Sequence, residues 1–198
     1  MYQVKYRLIT LLVLLPFVSF AQERGVGIRL GEPLSITYKD FISEYISIEG
    51  MIGSAGINGA SYYQRDFETN LPQSNAFYIS HSAKKGVSFN VRSAYHEDIT
   101  DVFGITEGYL LGYGGVGVQL RTTKVSYSYT DGQTGTGSAI RVENRTNVDF
   151  GPEVFVGAEY YFDDVPISIF GEAGFFLELI DRIGHMKAQG GVGVRYLF

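Results

Sequence analysis

The sequence predicts an all-β fold, an eight-stranded antiparallel transmembrane β-barrel of up-and-down topology. Three observations carry that expectation. Apolar and polar side chains alternate in segments of about ten residues, the length a tilted membrane strand needs. Gly (25), Tyr (15) and Phe (14) are abundant, and rich Gly and aromatic content over short alternating segments is the composition of such a barrel. The residues opposite the aliphatic faces are charged, with both signs balanced.

Period-two alternation sends successive residues to opposite faces of a sheet. In the last segment Val192, Val194, Tyr196 and Phe198 share one face, and Gly191, Gly193, Arg195 and Leu197 the other. Over 165–180, Ile167, Ile169, Ala173, Phe175, Leu177 and Leu179 lie opposite Glu172 and Glu178. Over 148–162, Val148, Phe150, Val154, Val156, Ala158, Tyr160 and Phe162 lie opposite Asp149, Glu153 and Glu159. Asp163-Asp164-Val165-Pro166 is a tight turn that joins these two in a hairpin. Upstream, strands are expected at 24–31 (Val26, Ile28 and Leu30 outward, Arg29 inward) and 34–41 (Leu34, Ile36 and Tyr38 outward, Lys39 inward). Two more follow at 44–53 (Ile46, Ile48 and Ile52 outward, Glu49 inward) and 86–96 (Val87, Phe89, Val91 and Tyr95 outward, Arg92 inward). A Gly-rich strand at 107–121 directs Leu110, Val116, Val118 and Leu120 outward and Gln119 and Arg121 inward.

The inward faces set Arg29, Lys39, Arg92, Arg121 and Arg195 against Glu49, Glu153, Glu159, Glu172 and Glu178, with Asp149 near a strand end. The interior of an eight-stranded barrel is just wide enough for side chains to fill. Buried charges persist there only when paired and hydrogen-bonded. A lumen plugged by an Arg/Lys–Glu network is therefore expected. The charges alone do not separate a barrel from a soluble sandwich, because both place them opposite the aliphatics. Phe41, Phe155, Tyr161, Phe170 and Phe176 share the inward parity. They either fill space beside Gly157, Gly174, Gly191 and Gly193 or mark shifts of register.

Two features favour the membrane. With both ends of the mature chain on the periplasmic side, Tyr38, Tyr95, Tyr160, Phe162, Tyr196 and Phe198 form an aromatic girdle at periplasmic strand ends. Turns at 42–43, 97–106 and 163–164 alternate with connections at 32–33, 54–85, 122–147 and 181–187. The longest of these fall on the extracellular side, as in such barrels. At the N-terminus Lys5 and Arg7, the apolar run from Leu8 to Val18 and the Ser19-Phe20-Ala21 site read as a cleaved signal peptide over 1–21. That leaves the barrel at 22–198. The formal charge of −5 becomes more negative once Lys5 and Arg7 are removed, and nucleic-acid binding requires a basic face. The absence of Cys excludes disulfides and thiolate metal sites.

Gly27-Ile28-Arg29-Leu30-Gly31-Glu32-Pro33, Ile36-Thr37-Tyr38-Lys39-Asp40-Phe41 and Ile48-Glu49-Gly50 occur in order with Gly157-Ala158-Glu159-Tyr160-Tyr161-Phe162 and Gly190-Gly191-Val192-Gly193-Val194-Arg195-Tyr196-Leu197-Phe198. Together they resemble the small outer-membrane β-barrel proteins of the Bacteroidetes, with 54–85 departing as an inserted extracellular arm. The terminal Val194, Tyr196 and Phe198 are similar to the signal read by barrel-assembly machinery. The resemblance implies outer-membrane location and fold more than an activity.

The remaining motifs carry little chemistry. Gly112-x-Gly114-x-x-Gly117 matches a dinucleotide fingerprint by letter but sits among strand residues with no helix after it. His96-Glu97-Asp98 with Asp101 is a weak cation candidate without calcium-loop spacing. Asn144-Arg145-Thr146 spells a glycosylation acceptor. His81-Ser82 and His185 would serve a catalytic triad only if a nucleophile, base and acid converge. The arm 54–85, with Tyr62, Tyr63, Phe67, Phe77 and Tyr78, and the loop 122–147, rich in Thr, Ser, Gly and Tyr, form either a recognition surface or a strand extension whose aromatics pack on each other. The expected function is structural or surface-interacting and non-catalytic, with no cofactor or metal. A small passive pore and a lipid-modifying enzyme are the alternatives. Expected partners are outer-membrane lipid, the assembly machinery, and an extracellular ligand or envelope protein met by the loops.

Overall fold

A computed structural model describes residues 24–130 and 139–198. The signal peptide expected at 1–21, and Asp131, Gly132, Gly135 and Gly137, lie outside the described residues. Among the described residues the elements are β1 (Arg24–Glu32), β2 (Leu34–Phe41), β3 (Ile46–Ser54), α1 (Ala60–Thr69) and β4 (Phe77–Lys84). They continue with β5 (Val87–Asp98), a short 3-10 turn (Asp101–Phe103), β6 (Tyr109–Thr130), β7 (Ile140–Tyr161), β8 (Ile167–Leu177) and β9 (Met186–Leu197).

Eight strands form a closed ring in the order β1, β2, β3, β5, β6, β7, β8, β9, every neighbouring pair antiparallel. The ring closes where β9 returns to β1, with Ile28 opposite Val194 and Val26 opposite Tyr196. Residues 24 and 198 lie together at one end of the barrel, the terminal end, with the turns after β2, β5 and β7. The opposite, far end carries the longer excursions. β4 stands outside the ring and pairs only with the upper part of β6.

The stretch 122–147 is not a loop in its described part but the strand extension, the second of its two readings. β6 and β7 run for 22 residues each and pair without a break from Tyr109–Tyr161 to Thr130–Ile140. Alternation continues beyond Arg121, but its sense reverses. Val125, Tyr127 and Tyr129 are buried on the inner face, while Lys124, Ser126 and Ser128 face out. A wet outer face gives this part of the strand a loop-like composition.

The arm 54–85 folds into α1 and β4. Gly59 caps α1 with extended backbone and no side-chain bond, so burial rather than capping holds this short helix. Tyr62, Tyr63 and Phe67 are fully buried beneath it. The Phe67 ring packs 5.4 to 5.8 Å from those of Tyr127, Tyr129 and Tyr78. The aromatics of arm and extension therefore pack on each other, in a cap over the far mouth.

The bulky inward residues Phe41, Phe155, Tyr161, Phe170 and Phe176 are all buried in the lumen without any slip of register. Glycines make room for the rings. A Cβ on Gly193 would lie 2.3 Å from the edge of Phe170 and 2.5 Å from the Ile28 carbonyl oxygen, and one on Gly157 would lie 2.6 Å from the Tyr113 ring.

Because Phe67 joins α1 to both β4 and β6, Phe67→Ala should cost the cap about 3–5 kcal/mol. Hydrogen exchange of α1 amides should accelerate while the amides of β1 and β9 stay protected. Equal acceleration in the barrel strands would show that cap and barrel open as one unit.

Candidate functional site

Glu159 on β7 is the centre of the lumen near the terminal end. It accepts hydrogen bonds from Lys39 Nζ at 2.7 Å, Arg195 Nη1 at 2.6 Å and Ser168 Oγ at 2.5 Å. Arg195 also donates to Glu49 and, through Nε, to Thr37 Oγ1 at 3.3 Å. Its guanidinium lies over the Phe170 ring, 3.7 Å from the centroid. These charged side chains are buried, so each loses its hydration and needs the full set of partners.

A second layer surrounds Glu172. Arg29 Nε donates to it at 2.7 Å, Arg92 Nη2 at 2.8 Å and the Tyr113 hydroxyl at 3.2 Å. Arg92 also pairs with Glu153 at 3.2 Å, and Asn90 donates to both oxygens of that carboxylate at 3.1 Å. Higher up, Arg121 lies 3.4 Å from Glu32 and 3.9 Å from Asp149, and Lys187 reaches Glu32 at 2.9 Å. The Gln189 amide donates to Gln119 at 2.6 Å, and Gln119 donates to Ser88 at 3.0 Å.

Nine of the ten inward charges read from the sequence thus lie in ion pairs: Arg29, Lys39, Glu49, Arg92, Arg121, Glu153, Glu159, Glu172 and Arg195. Arg121 is set against Glu32 and Asp149 rather than against one of the five glutamates. Glu178 stands apart, past the end of β8 at the far mouth. It accepts from the Tyr62 hydroxyl at 2.7 Å and the Arg182 backbone N–H at 2.7 Å. Burial pushes its carboxyl up to about 7, against the Tyr62 hydrogen bond, with Asp149 and Asp181 adding to the rise. Burial first, and the neighbouring carboxylates next, hold the Tyr62 and Tyr127 hydroxyls well above the usual tyrosine range. Both remain protonated, Tyr127 donating to Asp66 at 2.7 Å. The cap is fastened to the mouth by Tyr62, by Arg121 donating to the Gly56 carbonyl at 2.7 Å, and by Asn58 donating to Asp149 at 3.4 Å.

Lys187, Glu32, Asn90 and Tyr113 were missed by the sequence reading. Lys187 shares the parity of Gly191, Gly193 and Arg195, so extending that alternation backwards would have found it. Glu32 has outward parity and reaches back over the mouth, and no periodicity marks it.

The remaining motifs do not converge. Gly112, Gly114 and Gly117 lie within β6, with strand on either side. His96 points into the lumen, Glu97 accepts from Tyr95, and Asp98 accepts from the Thr100 backbone N–H. Among the described residues no group of three or more His, Asp or Glu could hold a metal ion. His81 bonds the Tyr78 hydroxyl at 2.6 Å, and the His185 ring packs 5.0 Å from Tyr62. A serine–histidine contact does occur among the described residues, Ser47 Oγ to His96 Nε2 at 2.8 Å. The other ring nitrogen of His96 has no partner, and the adjoining cavity, about 10 Å³, admits one water. Asn144 lies on β7, where its side chain accepts from Ser126.

The outer face is the inverse of the lumen. Ile28, Ile36, Ile48, Val91, Val116, Val154, Ile169 and Val192 are exposed around the ring. Tyr38, Tyr45, Tyr95, Phe162, Tyr196 and Phe198 are exposed near the terminal end, and Tyr160, half-buried, packs edge-on to Phe162. Val194 and Tyr196 lie on this face at the closing seam, and the Phe198 backbone N–H bonds the Arg24 carbonyl at 2.9 Å.

No protein-family model matches the chain, and no curated protein matches it. Similar solved structures include the N-terminal β-barrel domain of Pseudomonas aeruginosa OprF, 11% identical with a TM-score of 0.48 over 89% of this chain and 96% of that one. The Yersinia pestis attachment invasion locus protein Ail, in complex with the heparin analogue sucrose octasulfate, is 11% identical with a TM-score of 0.44 over 89% and 99%. A major outer membrane protein from Thermus thermophilus is 11% identical with a TM-score of 0.44 over 89% and 98%. The fold of this chain stands on its own strand pairing, which closes the ring.

Glu159→Gln removes the charge shared by Lys39 and Arg195 and should destabilise the barrel by about 3–5 kcal/mol. Guanidinium unfolding in detergent should show it. A loss under about 1 kcal/mol would mean that this carboxylate does not hold the lumen together.

Proposed function

We propose that this chain is an outer-membrane protein, a barrel spanning the bilayer with both ends of the mature chain on the periplasmic side. The lumen is plugged, and the role is structural or surface-interacting, without catalysis. One observation carries the reading: along β6 the polarity of both faces inverts at one height. Along β6, Val116, Val118 and Leu120 face out and Gln119 and Arg121 face in, whereas above Thr122 Lys124, Ser126 and Ser128 face out and Val125, Tyr127 and Tyr129 face in. β7 changes at the same level on its outer face alone, from outward Phe150 and Val148 to outward Thr146 and Asn144, while Asn147, Arg145 and Glu143 keep its inner face polar. A strand with apolar surroundings below that level and water above it requires this reversal. Outward positions from Leu110 to Leu120 span about 26 Å at the usual strand rise and tilt, close to the apolar band of known barrels. In water each exposed aliphatic would forfeit about 1.5–3 kcal/mol, so a soluble protein would not keep such a face.

The layers around Glu159, Glu172 and Arg121 support a plugged lumen, and His81 and Ser82, consecutive on β4, point to opposite faces of the strand, which fits a role without chemistry. The signal peptide over 1–21 and the similarity to small Bacteroidetes barrels fit an outer-membrane address. Val194, Tyr196 and Phe198 would present the assembly signal at the closing seam. The cap would meet an extracellular ligand or envelope protein through its tip, where Phe77, Ile79, Ile140 and Val142 are exposed.

The test is planar-bilayer recording of the refolded full chain, with unboiled migration on a denaturing gel confirming a folded barrel. A folded barrel without unitary conductance is expected. Steady ohmic steps would replace the plugged reading with a passive pore. Modified lipids in membranes of expressing cells would replace the non-catalytic reading with an enzyme.

A further inference from the structure

We infer that the outer face of β4, β6 and β7, just above the apolar band, binds the phosphate of an outer-leaflet lipid headgroup, with Lys84 and Lys124 as its cationic ligands. The inference rests on the membrane-spanning reading and adds a site to it.

Lys84 and Lys124 are direct cross-strand partners on β4 and β6. Like charges placed opposite one another repel and destabilise a sheet. Lys85 follows at once in the chain and adds a third charge. Among the described residues none of the three has an ion-pair partner, whereas the lumen supplies a carboxylate to each of its buried cations. No carboxylate lines the concavity beside Lys84 and Lys124; Glu143 pairs with Arg145 at 3.0 Å, and Asp181 accepts from the Val148 backbone N–H at 2.8 Å. An anion between the lysines would turn the repulsion into two favourable contacts.

The surroundings suit a phosphate. Lys84 and Lys124 line a concavity of about 220 Å³ with Ser126, Asn144 and Thr146. Ser126 donates to Asn144 Oδ1 at 2.5 Å, which leaves the Asn144 amide N–H groups free to donate outward. Thr146 is the β7 partner of Lys124, so its position adjoins the same row.

Depth selects a lipid over a soluble anion. From outward Leu120, the last aliphatic of the band on β6, to Lys124 is about 10 Å of height at the usual rise and tilt, within the polar layer that flanks a bilayer core. Leu120, Phe150 and Val87 lie directly beneath on the outer face, where acyl chains would run. A headgroup phosphate is held at this height by its own chains, and basic residues at the membrane surface attract anionic lipid.

The test uses the folded full chain in dodecyl maltoside, whose headgroup carries no phosphate, with bound lipid counted by native mass spectrometry. Phosphatidic acid should bind at least tenfold more tightly than diacylglycerol of the same chains and more tightly than inorganic phosphate. Lys84→Ala/Lys124→Ala should abolish that preference, while Lys84→Arg/Lys124→Arg and the exposed control Arg65→Ala should retain it. Equal retention of the two lipids, or an unchanged preference in the double alanine variant, would overturn the site. Inorganic phosphate binding as tightly as the lipid would overturn the lipid assignment. Heat-shifted gel migration of the same samples reports separately on the barrel, so a failed site and a failed membrane reading give different results.

Discussion

Three donors on three strands meet at the Glu159 carboxylate: Lys39 from β2, Ser168 from β8 and Arg195 from β9. A buried charge with fewer partners would destabilise the fold instead of holding it. That constraint propagates through the barrel. Arg195 can serve Glu159 and Glu49 together only if β9 has already closed against β1, so the network and the ring require each other. Glycines at 157 and 193 then follow, because the rings that flank the charges need space that a Cβ would occupy.

The same logic explains the cap. Above the aliphatic band the outer face of β6 is polar, and a two-stranded ribbon alone would expose Tyr127 and Tyr129 on its inner face. The arm 54–85 supplies Tyr62, Tyr63 and Phe67 to cover them, and β4 widens the ribbon. Tyr62 links this aromatic core to the charged one, since its ring is buried among apolar groups and its hydroxyl bonds Glu178 at the mouth.

Strand parity was legible because one period governs every barrel strand. Arg29, Lys39, Glu159 and Arg195 point where alternation places them, and Phe170 points inward with them. Their partners were not legible, since Arg195 and Glu49 lie 146 residues apart and only closure brings them together. The extension was legible only as one of two readings, for a different reason. Its alternation, Lys124-Val125-Ser126-Tyr127-Ser128-Tyr129, is regular, but its sign reverses, and polar residues on the outer face gave the stretch the look of a loop. α1 left the faintest trace, because Gly59 offers no capping side chain and Tyr62, Tyr63 and Phe67 find their partners on β4 and β6.

The central claim is that lipid lies against the aliphatic face and the charged face is enclosed. The chain has no Trp, so a single introduced indole reports from one place. Val154 and Phe155 are consecutive on β7, the first exposed at 52% and the second buried at 7%. In vesicles whose acyl chains carry bromine, Val154→Trp should be strongly quenched and Phe155→Trp should be nearly unaffected. Equal quenching at both positions, or quenching of Phe155→Trp alone, would contradict an inverted barrel in a bilayer.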